Sequence, residues 1–436
     1  MRRICLTLPT NRACEATISA IREEARYAAT HFEVEVHLLI LDSSDEPTFA
    51  VHAKAVDGAD PVPGVVVHHL DEAAQRDFLQ RTIERSGLAE PELLLDLMLP
   101  EGVSYGACTN RAFLIAAALG CASVHRRDSD SDYQLSDGEP VFPILHELRS
   151  LGRRAGEAAD GVTESTLDPA HEHKPVVLVG SSFIGELSVD ISEIQQLDPE
   201  VYHDVVSLWA PEHWSAEQKR ELVAESFRGA GTDPFTEDLA TLDIVDPMRL
   251  DMCNISFAQV QELVPLPPAR DTIGSDYFLM HLVQDAKLPG VLHNRHIVNF
   301  YTGERRTDAG FLAYQLRFTK FFLSMLYFNA VYEQLAAAGE SLLDDRQQVR
   351  PRAVAAIVRE SAGLDTAENL RRLAVIDRCY RRLGGRYAQF ADLLAPRHDQ
   401  LLDEARLDIE NFALLIEAWE PLIRASRATS VHPLPR

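Results

Sequence analysis

The chain has 436 residues, of which 46% are hydrophobic and 25% charged, the balance of a globular protein with material for more than one ordinary domain. Lys and Arg number 42 against 67 Asp and Glu, a formal net charge of −25, so the surface repels nucleic acid and anionic lipid and neither is expected as a partner. An anionic nucleotide is not excluded, because a bound divalent cation screens a diphosphate locally.

The N-terminus carries Arg2 and Arg3, but the apolar run after them is too short for a signal-peptide core. Residues 3–8 read as a strand, and residues 14–29 as a helix with Ile18, Ile21 and Ala25 at helical spacing. A second strand over 34–41 runs into the polar turn Asp42-Ser43-Ser44-Asp45, and a third covers 65–69. A helix over 111–119 leads to a short strand at 122–125 and then to an acidic cluster. This alternation predicts an α/β protein with a mostly parallel sheet covered by helices on both faces. The polar stretch 153–174 reads as a mobile loop or linker, 175–180 as a strand, 190–246 as mainly helical, and 251–301 as strand-like segments beside polar motifs. Beyond 308 the pattern is helical, with helices expected at 311–337, 351–361, 366–383 and 401–427.

The apolar stretch 311–335 is broken by Arg317, Lys320 and Asn329. A membrane span needs about 20 nearly uninterrupted apolar residues, so no membrane partner and a cytoplasmic location are expected. The same stretch carries Phe311, Tyr314, Phe318, Phe321, Phe322 and Phe328 at helical spacing. Such a stripe is a packing surface, and left exposed it invites association, so a homodimer is expected to bury part of it. Cys5, Cys14, Cys108, Cys121, Cys253 and Cys379 form no CxxC pair and read as ordinary buried thiols.

The sharpest chemical signal is His125-Arg126-Arg127-Asp128-Ser129-Asp130-Ser131-Asp132, directly after an apolar strand. In an extended segment the three aspartates share a face, and crowded carboxylates repel unless a cation neutralises them. Hard oxygen ligands suit Mg2+ or Mn2+, and open α/β sheets place ligands at strand C-terminal ends. An EF-hand loop is a poor alternative, because Tyr133 stands where the sharp turn needs Gly and a strand replaces the leading helix. No P-loop, dinucleotide fingerprint, nucleophile elbow or HExxH motif occurs.

Four pieces occur in order: Pro9-Thr10-Asn11-Arg12 after the first strand, Asp42-Ser43-Ser44 after the second, the run from Gly102 to Asn110-Arg111 leading into a helix, and the DxD cluster. In that order they resemble the GT-A glycosyltransferases, whose Rossmann-like sheet binds a nucleotide-sugar. The resemblance covers residues 1–305 and is nearest to small-acceptor enzymes of the mannosylglycerate and glucosylglycerate synthase kind. It implies a catalytic domain over 1–305, with a nucleotide-binding half at 1–135 and an acceptor half at 175–305, followed by a helical C-terminal region over 306–436.

The resemblance also implies residue roles. Pro9, Thr10, Asn11 and Arg12 would border the base and ribose, and Asp42 would accept hydrogen bonds from them. Asn110 and Arg111 would lie near the nucleotide or donor sugar. Asp128 would face the ribose or sugar, and Asp130, or else Asp132, would bind Mn2+ or Mg2+. In the acceptor half, Met252–Phe257 is followed by Gly274-Ser275-Asp276, where Asp276 would be the general base for an acceptor hydroxyl. His296, with His293 second, would close the metal site, and Arg295, Arg305 or Arg306 would meet the diphosphate or an anionic acceptor. The implied activity is hexosyl transfer from a nucleotide-sugar donor to a small-molecule acceptor. A sugar nucleotidyltransferase is the competing enzyme, although residues 8–15 hold no Gly or Lys for its usual phosphate loop. A non-catalytic metal-binding protein is the remaining alternative.

Overall fold

The computed structural model describes residues 1–58, 60–187, 191–300 and 307–432. Four strands from the first third start the main sheet: β1 (Arg2–Thr10), β2 (Val34–Asp42), β3 (Val65–Leu70) and β4 (Val124–Arg127). β1, β2, β3 and β4 pair in parallel, in the order β3-β2-β1-β4. The sheet continues through Asn254–Phe257, Leu178–Gly180, Gly290–His293, Ala240–Asp243 and Glu164–Ser165, nine strands in all. Asn254–Phe257 is antiparallel to both of its neighbours, while Leu178–Gly180 and Gly290–His293 run parallel. The chain is therefore mixed α/β with a mostly parallel sheet.

β2 (VEVHLLILD) is buried along nearly its whole length, as a strand covered on both faces must be. One face is covered by α1 (Glu15–His31) and α2 (Glu46–Asp57), with Ile18, Ile21 and Ala25 against Ile4, Leu6 and Val36. The other is covered by α3 (Glu72–Ser86), α4 (Pro91–Met98) and α5 (Tyr105–Ala118). The alternation signal missed α2, α3 and α4. Their termini were nonetheless written in the sequence, since Asp45 and Asp71 cap α2 and α3 by accepting from backbone N–H groups.

α5 begins at Tyr105, not at 111, capped by Ser104 accepting from Ala107 N. Asn110 and Arg111 thus lie inside a helix that is buried almost all round. Gly106 is required there, because a Cβ would come within 1.9 Å of Pro267 O.

Residues 153–174, expected as a mobile loop, form a short helix (Ala155–Ala158), two 3-10 turns and an edge strand, and bury Ala155, Ala158 and Leu167 under the far half of the sheet. Polar composition concealed those few small anchors.

The C-terminal helices Asp308–Ala338, Pro351–Ser361, Ala367–Leu383 and His398–Ser426 match the periodicity closely, and Gly385–Leu394 adds another. They share one continuous core with the sheet, from Cys5 and Leu39 through Phe113 and Phe257 to Phe318 and Trp419. Trp419 is fully buried and its indole N–H donates to Gln261 O at 2.9 Å. Fully burying a large apolar side chain contributes about 1.5–3 kcal/mol. The aromatic stripe serves this intramolecular core: Phe311, Phe318, Phe321, Phe322 and Phe328 are all buried within the chain. A second copy is therefore not needed to bury these five rings. Among the described residues no helix is long and apolar enough to cross a membrane.

Candidate active site

The C-terminal ends of β1, β2 and β4 open into a solvent-open cleft of about 860 Å3. Pro9, Thr10, Asn11 and Arg12 line one wall, Gly102 to Tyr105 and Arg111 another, and Arg126, Asp128, Ser129 and Asp130 the floor. Residues 9–12, 41–43, 99–111 and 126–130 thus converge because parallel strands end on the same side.

β4 sorts its charges by alternation. Arg126 and Asp128 face the cleft, whereas Arg127 turns to the opposite face and is buried against Glu24 (2.8 Å) and Glu147 (3.0 Å). Arg126 donates to Asp276 Oδ2 at 2.6 Å and to Asp128 Oδ1 at 3.0 Å. Burial works against the Arg126 charge, but Asp128 and Asp276 outweigh it and hold its pKa well above the ordinary value. Arg12 donates to Asp130 Oδ2 at 2.6 Å. The Nε atoms of both Arg12 and Arg126 are buried with no acceptor among the described residues. Arg111 is held by Gln75 (2.8 Å) and Met98 O (2.8 Å), and burial lowers its pKa.

The acidic cluster is not one extended face. β4 ends at Arg127, residues 128–130 turn, and Ser131 donates to Asp128 O at 2.7 Å. Asp128 and Asp130 line the cleft, while Asp132 is exposed on the small strand Ser131–Tyr133 and accepts from its neighbour Tyr133 N.

Other expected residues lie beside the cleft, not in its lining. Asp42 is buried, accepting from Ser44 N (3.0 Å), His52 Nδ1 (2.7 Å) and His69 Nε2 (2.9 Å). Burial opposes its charge, but the hydrogen bonds from His69, Ser44 and His52 hold the carboxyl well below the usual carboxylate range. Cys14 N donates to His52 Nε2, which assigns the His52 proton to Nδ1. Asp42, His52 and His69 bring ligand atoms within 4.8 Å of one another and could hold a cation, although in the structure they are hydrogen-bonded together. Asn110 fixes the wall by donating to Leu266 O and accepting from Leu266 N, both at 2.8 Å.

Asp276 is buried and engaged with Arg126. Burial lifts its carboxyl above the ordinary value, with Arg126 opposing. His296 Nδ1 is 2.5 Å from Ser181 Oγ, and burial lowers its pKa to about 4. His293 is buried against His146 at 5.4 Å between ring centroids. Arg295 pairs with Asp238 at 2.8 Å. Arg305 and Arg306 lie outside the described residues.

Two residues escaped the sequence reading. Arg126 was signalled by strand alternation, since it stands two residues before Asp128 on the same face. Asp251 has no such signal. It accepts from Tyr277 Oη at 2.7 Å and from Cys253 N at 2.9 Å, and lines a second, aromatic cleft beside the first. Burial raises its pKa. Its partner Tyr277 directly follows Asp276, which holds Arg126 of the first cleft, so the two clefts are neighbours through residues 276 and 277.

The profile of a family described as "Family of unknown function (DUF6271)" matches residues 2–434. No curated protein matches the chain. Among solved structures, a mannosyltransferase from Pyrobaculum calidifontis in complex with GDP-Man and Mn2+ is similar at 12% identity over 96% of this chain and 88% of that one, with a TM-score of 0.36. Mouse xyloside xylosyltransferase 1, in its apo form, is similar at 17% identity over 45% of this chain and 58% of that one, with a TM-score of 0.19. Both neighbours are glycosyltransferases, but likenesses this distant carry no functional argument. The chain belongs to the DUF6271 family.

Proposed function

We propose that this DUF6271 member is a metal-dependent glycosyltransferase, which moves a sugar from a nucleotide-sugar donor to a small-molecule acceptor. One observation carries the reading. In a chain of net charge −25, a single cleft at the sheet's C-terminal edge gathers Arg12, Arg111 and Arg126 around Asp128 and Asp130. Two of those arginines hold a buried Nε–H without an acceptor among the described residues. A buried donor of this kind is completed by an acceptor from outside the chain, and the guanidinium fork suits diphosphate oxygens.

The donor set fits Mn2+ or Mg2+, because Asp128 and Asp130 offer hard carboxylate oxygens and such ions take their remaining ligands from phosphate and water. A cation bound there would neutralise the diphosphate and stabilise charge on the departing nucleotide. Within the chain, the roles divide by position. Pro9, Thr10, Asn11 and Ser43 border the base and ribose. Arg126 orients the diphosphate, with Asp276 positioning its guanidinium from behind. Arg12 exchanges Asp130 for phosphate when the nucleotide binds. Asp42 and Asn110 support the walls, Asp42 through β2 and Asn110 through residue 266.

Thermal-shift screening of UDP, GDP, ADP and CMP, each with Mn2+ or with EDTA, tests the reading. A ligand at 100 times its Kd stabilises the native state by about 2.7 kcal/mol. One nucleoside diphosphate should raise Tm in Mn2+ and much less in EDTA. No shift with any nucleotide would overturn the proposal.

A further inference from the structure

The second cleft, about 990 Å3 and open to solvent, has a different lining from the first. Its walls are rings: Phe183, Trp209, Phe227, Phe321, Phe328 and Tyr332. Trp209 stands edge-on to Phe321 at 5.4 Å, and Phe227 packs on Trp209 at 5.4 Å. The cleft is shaped by backbone as well. Phe227 holds a φ of 61°, a left-handed conformation unusual and costly for a bulky residue. Gly274 has a φ of +72°, and a Cβ there would come within 2.9 Å of the Phe321 ring. The charged lining residues Glu225 and Arg228 are exposed, at the rim. Asp251, half-buried in the lining, accepts from Tyr277 Oη at 2.7 Å on the side where Asp276 reaches Arg126 of the first cleft. Pockets that are mostly apolar with a few convergent polar groups bind ring-bearing small molecules, and the polar groups set the orientation.

Resting on the reading of a nucleotide-sugar transferase, we infer that this cleft is the acceptor site, that it takes an uncharged aromatic alcohol, and that Asp251 meets the acceptor hydroxyl. In the transfer, the acceptor oxygen bonds to the anomeric carbon of the donor sugar. The bond from that carbon to the diphosphate oxygen breaks, and its electron pair leaves with the nucleoside diphosphate. The hydroxyl proton passes to the Asp251 carboxylate. Glycerate, the kind of acceptor that the sequence resemblance implied, has no ring to fill this cleft, and the cation of the described lining, Arg228, is exposed at its rim.

The test uses 2-naphthol as the aromatic probe and D-glycerate as the polar one, each titrated calorimetrically into the full chain, with nucleoside diphosphate binding in Mn2+ measured alongside. Two variants change the cleft in opposite ways. Phe227→Gly removes a ring and suits the left-handed backbone, while Ser324→Phe adds a ring from the helix Asp308–Ala338. Expected is saturable 2-naphthol binding, weakened at least about tenfold in both variants, with nucleotide affinity kept within about twofold. Asp251→Asn should abolish transfer to an aromatic alcohol while 2-naphthol still binds. Saturable binding of D-glycerate in place of 2-naphthol would overturn the acceptor class, and 2-naphthol binding unchanged in both variants would overturn the location. If 2-naphthol binds as expected but no nucleotide does, the transferase reading fails and the acceptor role with it, while the ligand class of the cleft stands.

Discussion

The two clefts differ in how the chain makes them. The polar cleft is built at the ends of β1, β2 and β4 and the start of α5, from short runs such as 9–12 and 126–130. The aromatic cleft gathers single residues from a strand (Phe183), from turns (Phe227, Gly274) and from the helix Asp308–Ala338 (Phe321, Phe328). A strand end concentrates chemistry in a few consecutive residues, because it stops pairing and turns in one place. A helical wall contributes a residue every three or four positions, so its function is dispersed along the chain. The first kind of site leaves motifs in a sequence, and the second leaves only an apolar period that any core shares.

Variants in the polar cleft should have the larger effects. Asp130→Ala should reduce transfer by about a thousandfold, since a metal's charge stabilisation is worth several kcal/mol at 1.36 kcal/mol per tenfold. It should also destabilise the apo protein by about 1–3 kcal/mol, because Arg12 loses its 2.6 Å partner in a partly buried setting. A kinetic assay and urea denaturation read the two effects. Retained activity here with loss in Asp132→Ala would move the metal ligand two residues along.

Arg126→Lys comes next. It keeps the charge but loses the fork that reaches Asp276 and Asp128 together. Nucleotide affinity should fall by about 100-fold, the scale of one preorganised donor. Arg126→Met should in addition cost about 3–5 kcal/mol of stability, because it leaves the buried Asp276 carboxylate unpaired.

His296 should act through pH and not through a titration near 7. Burial depresses its pKa to about 4, against an unfolded value of about 6.5. Between those values the unfolded chain binds more protons, so stability should rise with pH from about 4 to 6.5 and be complete above it. The window is worth about 2–3 kcal/mol. In His296→Gln, urea unfolding across pH 4.5–7.5 should show a flatter profile than the parent. A profile unchanged by the substitution would mean that His296 is solvated.

The smallest effect belongs to Asp132→Ala. Its side chain is exposed and lies outside the cleft lining. Stability should change by less than about 0.5 kcal/mol, and turnover by less than about twofold.

How much could be read from the sequence follows the same division. The strands 34–42 and 65–70, and the helices 308–338 and 351–361, appear where periodicity places them. Pro9 to Arg12, Arg111, Asp128 and Asp130 converge because the order of strand ends fixes their positions. The side-chain directions were not legible. Asp42, at the end of β2, turns to His52 and His69, two residues that carry no local sign of being its partners. Asn110 and Arg111 are adjacent, yet one pins residue 266 and the other reaches the cleft, because a helix turns by about 100° per residue. Asp276 and Asp251 are 25 positions apart, and only the tertiary packing sets Arg126 against one and Tyr277 against the other. The loop reading of 153–174 failed because three apolar side chains, Ala155, Ala158 and Leu167, suffice to anchor a polar segment.

The central claim is that the polar cleft binds a nucleoside diphosphate through a divalent cation on Asp128 and Asp130. Calorimetric titration of the nucleotide selected by thermal shift, into the parent chain and Asp130→Ala, in Mn2+ and in EDTA, tests it most directly. The account predicts tight binding by the parent in Mn2+, a loss of at least about tenfold in EDTA, and no further loss on removing metal from Asp130→Ala. Equal affinity with and without metal in the parent would contradict it.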